Sequence, residues 1–423
     1  MIRGLKKHYH WVIAFLAFLE MVLYGGLLNS ASVFIIPISE SLNVSRASFA
    51  SASIPYNLVC SIGTMLSGTM FHRFGYKKCA IVSLVIVAAS YVMTAFSTNL
   101  TVYMISKVIF GLGYAACFTA GAVRIVKDWF FKHQGLVVGA VTMSSGLGGA
   151  LMTILLTDIM ERSDWRTANL VVAGMVAAMT VIYLLIKDKP EQLGLKPFGY
   201  GEIPKKVSKK NTIRTNWIGY DTKELLRHPL FYLMNICTLA SCVCIYVACT
   251  VVVPHFQAQG FTVAEAAGMQ SFIMLVVGIA KLICGGLCDR LGSKPVTVFC
   301  MICAVVGQWM MSVSPDPLLC YAGCFLLSIG MCMTSLMVPL LAQELFGYKS
   351  SLGANGVFMA MCSLASMISG PISNYCFDTT GSYVLAFRIA AVVNVGVLIL
   401  YFVLFAQAKR EKSRYLAAHP ENQ

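Results

Sequence analysis

Twelve apolar runs, each close to the length of a membrane crossing, fill this chain of 423 residues. The hydrocarbon core of a bilayer is about 30 Å thick and takes about 20 apolar residues per helical crossing. Lipid offers the backbone no hydrogen bonds, so runs of this kind must form helices. They fall at 11–36, 46–71, 78–98, 101–126, 134–157, 165–186, 229–254, 263–288, 295–314, 317–343, 351–376 and 382–407, read to within a few residues. Only 12% of residues are charged, against about 25% in soluble domains. The expected fold class is an all-α membrane protein with twelve transmembrane helices. The first run has spanning length and no small-residue cleavage site after it. It is expected to remain as a crossing rather than be removed as a signal.

The runs are also duplicated. Where the eighth run ends, the chain carries Gly285, Asp289, Arg290, Gly292 and Lys294 in one frame. The second run ends on the same frame, with Gly68, His72, Arg73, Gly75 and Lys77, 217 residues earlier. Pro37 and Pro254, Ser45 and Thr262, and Gly139 and Gly356 repeat at the same offset. Two six-helix repeats are therefore expected, with any site near the midplane where the repeats meet. The first bundle is read as 1–186 and the second as 229–407, with a linker at 187–228 and a tail at 408–423. The linker is rich in Pro, Gly and Lys and is expected to pack poorly. Residues 219–229 within it suggest a short surface helix.

The net charge of +14 raises the question of a nucleic-acid partner, and the charge distribution rejects it. Lys and Arg gather near the amino terminus, at 73–78, 127–132, 187–227, 290–294 and after 408. With twelve alternating spans, these positions share one side of the membrane. The bias predicts a multi-pass protein of the cell membrane with both termini cytoplasmic. The sixteen cysteines lie mostly inside apolar runs, where a thiol behaves as a small hydrophobe. Cys300 and Cys303 form a lone CxxC within a span, so no metal or other cofactor is expected. No nucleophile and base share one depth, so an enzyme is not expected. Glycines 135, 139, 146, 148 and 149 read as helix-packing positions, and the Met-rich 330–337 as adaptable packing.

Charges inside the spans carry the chemistry. Arg124 and Lys127 are near a span end and can snorkel. Lys281 lies eight residues before Asp289, roughly 12 Å deep at about 1.5 Å per residue. An ammonium there costs about 2.5–3.5 kcal/mol on insertion scales, which a bound anion or a fixed acidic partner would offset. Glu20, at a similar depth, is the one acidic residue deep in a span. It is read either as a proton-coupling group or as half of an ion pair, with Lys107 or with Lys281. Tyr24, Tyr56 and Tyr114 are candidate polar handles for a substrate. Asn29 is a further candidate; at 100° per residue it faces away from Glu20.

The paired frames, KVIFGLG at 107–113, Asp164-Trp165-Arg166 and the 217-residue repeat resemble the major facilitator superfamily. The resemblance covers essentially the whole chain. It implies that Gly68, Arg73, Gly75, Lys77, Gly285, Asp289, Arg290, Gly292 and Lys294 form the gating motif. WFFKHQGLVVGAV, PEQLGL, ELLRHPLFYLM and FDTTGSYVLAF are similar to oxalate/formate antiporters and monocarboxylate transporters. That likeness implies secondary active transport of a small organic anion by alternating access. Lactate, pyruvate, formate and oxalate represent the class, moved by proton symport or anion exchange. Protons are a second candidate partner besides the anion and the bilayer, and the chain is expected to act as a monomer. Lys281 stands where the family has Arg, Lys107 where it usually has Arg, and His72 where it has Asp. Val277 replaces the Asp that helps couple protons in monocarboxylate transporters, and Cys362 replaces the antiporters' second cation. Asn29 falls near the lysine of the first span in monocarboxylate transporters. The competing readings are a transporter-like receptor and an exporter of drug-like compounds.

Overall fold

The structure is a computed structural model that describes residues 2–130, 134–187, 190–193, 195, 198, 222–313 and 315–418; within its helices, the side chains of 64–69, 71–72, 115–124, 127, 289 and 348–356 are among those not described. The long helices are α1 (Ile2–Asn29), α2 (Ser53–Phe74), α3 (Tyr76–Ala95), α4 (Leu100–Trp129), α5 (Gln134–Arg162) and α6 (Trp165–Leu185). They continue with α7 (Pro229–Cys249), α8 (Val263–Leu291), α9 (Ser293–Met311), α10 (Pro317–Gly330), α11 (Tyr348–Thr380) and α12 (Val384–Ala418). Every expected apolar run falls on one of them. Among the described residues, nine helical segments are long and apolar enough to cross a membrane, and Leu100–Tyr114 is a shorter apolar one. Of the expected surface helix, Thr222–Leu225 is helical. Helix α10 passes through a π turn, Met333–Met337, into a further helix, Val338–Phe346.

The duplication extends to backbone detail. A short helix follows α1 at Ile35–Ser41, and another follows α7 at Val252–Ala258, 217 residues on. Each is closed by a residue with positive φ, Asn43 at 53° and Gly260 at 96°. Side chains then cap the next helix in each repeat. Ser45 accepts from the Ser48 N–H at 3.1 Å, while Thr262 and Glu265 form a reciprocal capping box. Gly75 and Gly292 make the turns into α3 and α9 at φ 80° and 88°, a region that glycine enters without penalty. Asn99 caps α4 through the Val102 N–H, and Asp316 caps α10 through the Leu319 N–H. In both repeats an arginine of the sixth helix donates to a carbonyl near the end of the third. Arg166 donates to the Ser97 carbonyl and Arg388 to that of Ser312.

The chain groups into two compact units. One comprises Met1–Val207 with Thr262–Gly278, the other Ser208–Phe261 with Ile279–Gln423. The first unit is built on the contact between α1 and α5. Between these helices there is no water to drive apolar association, so the helices must approach closely. A Cβ at Gly25 would strike the Ser145 carbonyl, and one at Gly148 would strike the Val22 carbonyl. Gly146 and Gly149 receive Met274 and Asn29 in the same manner. The packing expected at 146–149 is present. Among the described residues, a Cβ at Gly139 or Gly285 would meet nothing within 4 Å. Around this pair the buried side chains of α1, α3, α4, α5 and α6 form one apolar core, including Ile13, Leu84, Val87, Trp129 and Val176.

Gly148→Leu should cost more than the about 1–3 kcal/mol of ordinary overpacking, because backbone rather than a flexible side chain opposes it. Gly174→Ala, with open space at its Cβ, should be neutral or slightly stabilising. Thermal unfolding of the purified variants distinguishes the two.

Candidate substrate and ion sites

In the first unit, three of the residues singled out from sequence come together. Tyr24 of α1 stacks on Tyr114 of α4, with centroids 5.0 Å apart. Tyr56 of α2 meets Tyr114 edge-on at 6.3 Å. Phe110, one helical turn before Tyr114, packs against Tyr114, Tyr56 and Tyr91. Aromatic pairs in such offset and edge-to-face arrangements contribute about 0.5–1.5 kcal/mol beyond burial. The result is a column of rings with phenol groups along it.

Lys107 joins this column from one turn before Phe110. Its Nζ lies 5.1 Å from the Tyr103 centroid, 5.5 Å from Tyr91 and 5.8 Å from Phe110. Three ring faces are a favourable setting for a desolvated cation. Glu20 is elsewhere. It is fully buried, and its carboxyl is bonded by two hydroxyls. Tyr76 of α3 lies 2.8 Å and 2.9 Å from its two oxygens, and Tyr183 of α6 makes a short contact to Oε2. Among the described residues, the ion pair considered for Glu20 and Lys107 is not formed. One has hydroxyl partners and the other has rings.

Asn29 faces a different set of helices from Glu20, as the 100° spacing requires. Its side chain lies against Gly149 of α5, and its carbonyl accepts from Gln270 of α8 at 3.2 Å. The tyrosine column does not include it.

Lys281 belongs to the second unit. Along α8, residues 279, 282, 283 and 286 are exposed and make a lipid-type stripe, whereas Val277, Gly278, Cys284 and Cys288 are buried. Residues three and four apart share a helix face. Lys281 therefore shares its face with Val277, Gly278 and Cys284, not with the exposed stripe. The thiol of Cys332, at the start of the π turn, is within electrostatic reach of it. Among the described residues, Lys281 has no ion-pair partner. Cys284 approaches Cys300 at 3.9 Å. Cys362 approaches Cys242 at 3.5 Å, a second pair of thiols.

The two copies of the repeated frame are anchored differently. Lys77 donates to the carbonyls of Leu184 and Ile186 at 2.9 and 2.6 Å, satisfying acceptors that the end of α6 leaves open. Lys294 instead lies 3.9 Å from Glu344. The same carboxylate accepts from the Ser293 N–H at 2.6 Å and from its hydroxyl, capping α9 where Gly292 has no side chain to do so. Arg73 and Arg290 are exposed. Gly68 and Asp289 are outside the residues with described side-chain surroundings.

Sequence reasoning missed Tyr76, Tyr183, Gln270 and Glu344. Tyr76 had a signal, since it directly follows Gly75 in the repeated frame. The others carry no local one.

The description "Major Facilitator Superfamily" matches residues 11–352. The chain is 24% identical to human monocarboxylate transporter 12 over 85% of its length and 71% of that protein's. It is 24% identical to the probable sulfoacetate transporter SauU of Cupriavidus necator, over 84% of each. Its fold is similar to the crystal structure of the nucleoside transporter NupG, with a TM-score of 0.73 at 14% identity, covering 94% of this chain and 98% of that one.

Glu344→Ala should lower stability by about 1–3 kcal/mol, the cost of stripping a buried donor of a charged acceptor. Lys294→Ala should change it by less than about 1 kcal/mol, since that pair is long and partly exposed. Melting curves of the two variants test the difference in size.

Proposed function

Because this chain belongs to the Major Facilitator Superfamily, its match spanning residues 11–352, we propose that it carries a small organic anion across the cell membrane, with Lys281 as the binding cation. One observation carries the reading. Lys281 is on the non-lipid face of α8 and, among the described residues, has no acidic partner. An unpaired ammonium at that depth is costly. A carboxylate that reaches it in a low-dielectric cavity is strongly attracted, and a cation is repelled.

Within the first unit, Tyr24, Tyr56 and Tyr114 are proposed as polar contacts of a substrate, with Asn29 as a further one. A single cation favours a single negative charge. Cys362, paired with Cys242, supplies no second one, which favours a monocarboxylate over a dicarboxylate. The relatives are in keeping with this class: one is named a monocarboxylate transporter and one a probable sulfoacetate transporter. The Lys and Arg bias supports cytoplasmic termini, and the duplicated frames support alternating access of two repeats.

Purified protein should be stabilised against heat by at least one of lactate, pyruvate, formate, oxalate or sulfoacetate. At a hundredfold excess over Kd the gain is about 2.7 kcal/mol. Lys281→Ala should abolish the ligand-dependent shift without lowering the ligand-free melting temperature, and Lys281→Arg should retain part of it. An undiminished shift in Lys281→Ala removes Lys281 from the site.

A further inference from the structure

We infer that the mouth between the start of α7 and the end of α12, in the second unit, holds the head group of an acidic phospholipid, with Arg410 as the residue that takes its phosphate. The site is separate from the anion-transport reading and does not depend on it.

Six residues line a pocket of ≈ 390 Å³ at this place: His228, Pro229 and Leu230 at the entry to α7, and Gln407, Arg410 and Glu411 of α12. All six belong to the second unit. The volume is in the range of small-ligand sites. His228 is turned back onto its own helix, its Nδ1 accepting from the Leu230 N–H at 3.3 Å. His228 and Glu411 are each engaged within the protein. Arg410 is exposed and, among the described residues, makes no ion pair. Its planar guanidinium presents a fork of N–H donors that suits a phosphate.

The charge around the pocket favours an anion. Residues 222–230 and 407–413 hold five Lys or Arg and two Glu, an excess of three positive charges. Glu411 is the single acid of the lining, and Lys409, Arg410 and Lys412 flank it in the chain. Basic pockets between helices at the membrane surface suit acidic lipid head groups.

Two observations favour a lipid over a free phosphate. The pocket lies at the edge of the apolar zone. The crossing segment of α7 begins at Pro229, and Tyr232, one turn further in, is exposed and donates its hydroxyl to the Leu226 carbonyl at 2.9 Å. Tyrosine so placed marks the level of the head groups. An exposed face then runs from the pocket into the membrane on each helix. On α12, Ile399, Val403, Gln407 and Arg410 are exposed at spacings of four, four and three. On α7, Pro229, Tyr232 and Ile236 are exposed at spacings of three and four. Residues so spaced share a helix face. The two helices pack together, with Cys244 and Val247 against Ala386 and Ala390. A free phosphate would use Arg410 alone. A phospholipid also lays its acyl chains over Ile399, Val403 and Ile236.

The test uses the full purified chain in detergent with defined lipids, read by native mass spectrometry. Wild type should retain phosphatidylglycerol over phosphatidylcholine with the same acyl chains. Arg410→Gln should lower that preference about fivefold, the worth of one arginine at an anionic surface, with the lipid-free melting temperature unchanged. Arg162→Gln, which removes an exposed charge from the first unit, should keep the wild-type preference. A wild type without preference, or a preference undiminished in Arg410→Gln, overturns the proposal. Inorganic phosphate and glycerol phosphate, each in excess over the lipid, should leave the bound lipid in place. Displacement by either one assigns the pocket to a soluble phosphate and overturns the lipid reading. No carboxylate is present in this experiment, so its outcome and that of the anion-binding test are independent.

Discussion

Lipid has no hydrogen bonds to offer, and the placement of polar groups in this protein follows from that. Backbone donors and acceptors are consumed within helices. Where helices end, side chains or neighbouring helices take over: Asn99, Ser45 and Asp316 cap locally, while Lys77 and Glu344 reach across from other elements. Lys107 is distributed over three rings and Glu20 over two hydroxyls. Against this background Lys281 stands apart. Its neighbours on α8 are apolar or thiol, and no described acid answers it.

The same solvent dictates how the helices meet. Without a hydrophobic drive, attraction comes from close contact, and close contact requires small residues. Gly25 and Gly148 let the backbones of α1 and α5 touch carbonyl to Cα. That contact holds the helix carrying Glu20 and Tyr24 at a defined depth. The position of the acid and of the tyrosine column therefore depends on glycines that do no chemistry.

Much of the architecture was legible because it is written in local signals. Apolar run length marked the helices. The 217-residue offset marked the repeat, and it holds to single residues: the turn glycines 75 and 292, the caps at 45 and 262, and the short helices after α1 and α7. The site was legible only in part. Tyr24, Tyr56 and Tyr114 were recognisable as polar groups in apolar helices, and their meeting follows from helix packing. The partners of Glu20 were not legible. Tyr76 and Tyr183 lie 56 and 163 residues away, and no periodicity links positions on three helices. Electrostatic reasoning pointed Glu20 at a lysine, since opposite charges attract. It overlooked that a carboxyl group can be satisfied by hydroxyls with no countercharge.

Duplication and divergence divide the labour. The first residue after the turn glycine is Tyr76 in one repeat and Ser293 in the other, and each holds a carboxyl group, Glu20 in one and Glu344 in the other. The surroundings set what each does. Glu344 lies against the start of α9, partly exposed, with Lys294 close by. Glu20 lies within α1 and is bonded by two phenols. One inherited turn thus holds an acid in each repeat, drawn from different helices. The first-repeat acid is held by residues of two other helices, so its surroundings depend on α1, α3 and α6 keeping their positions.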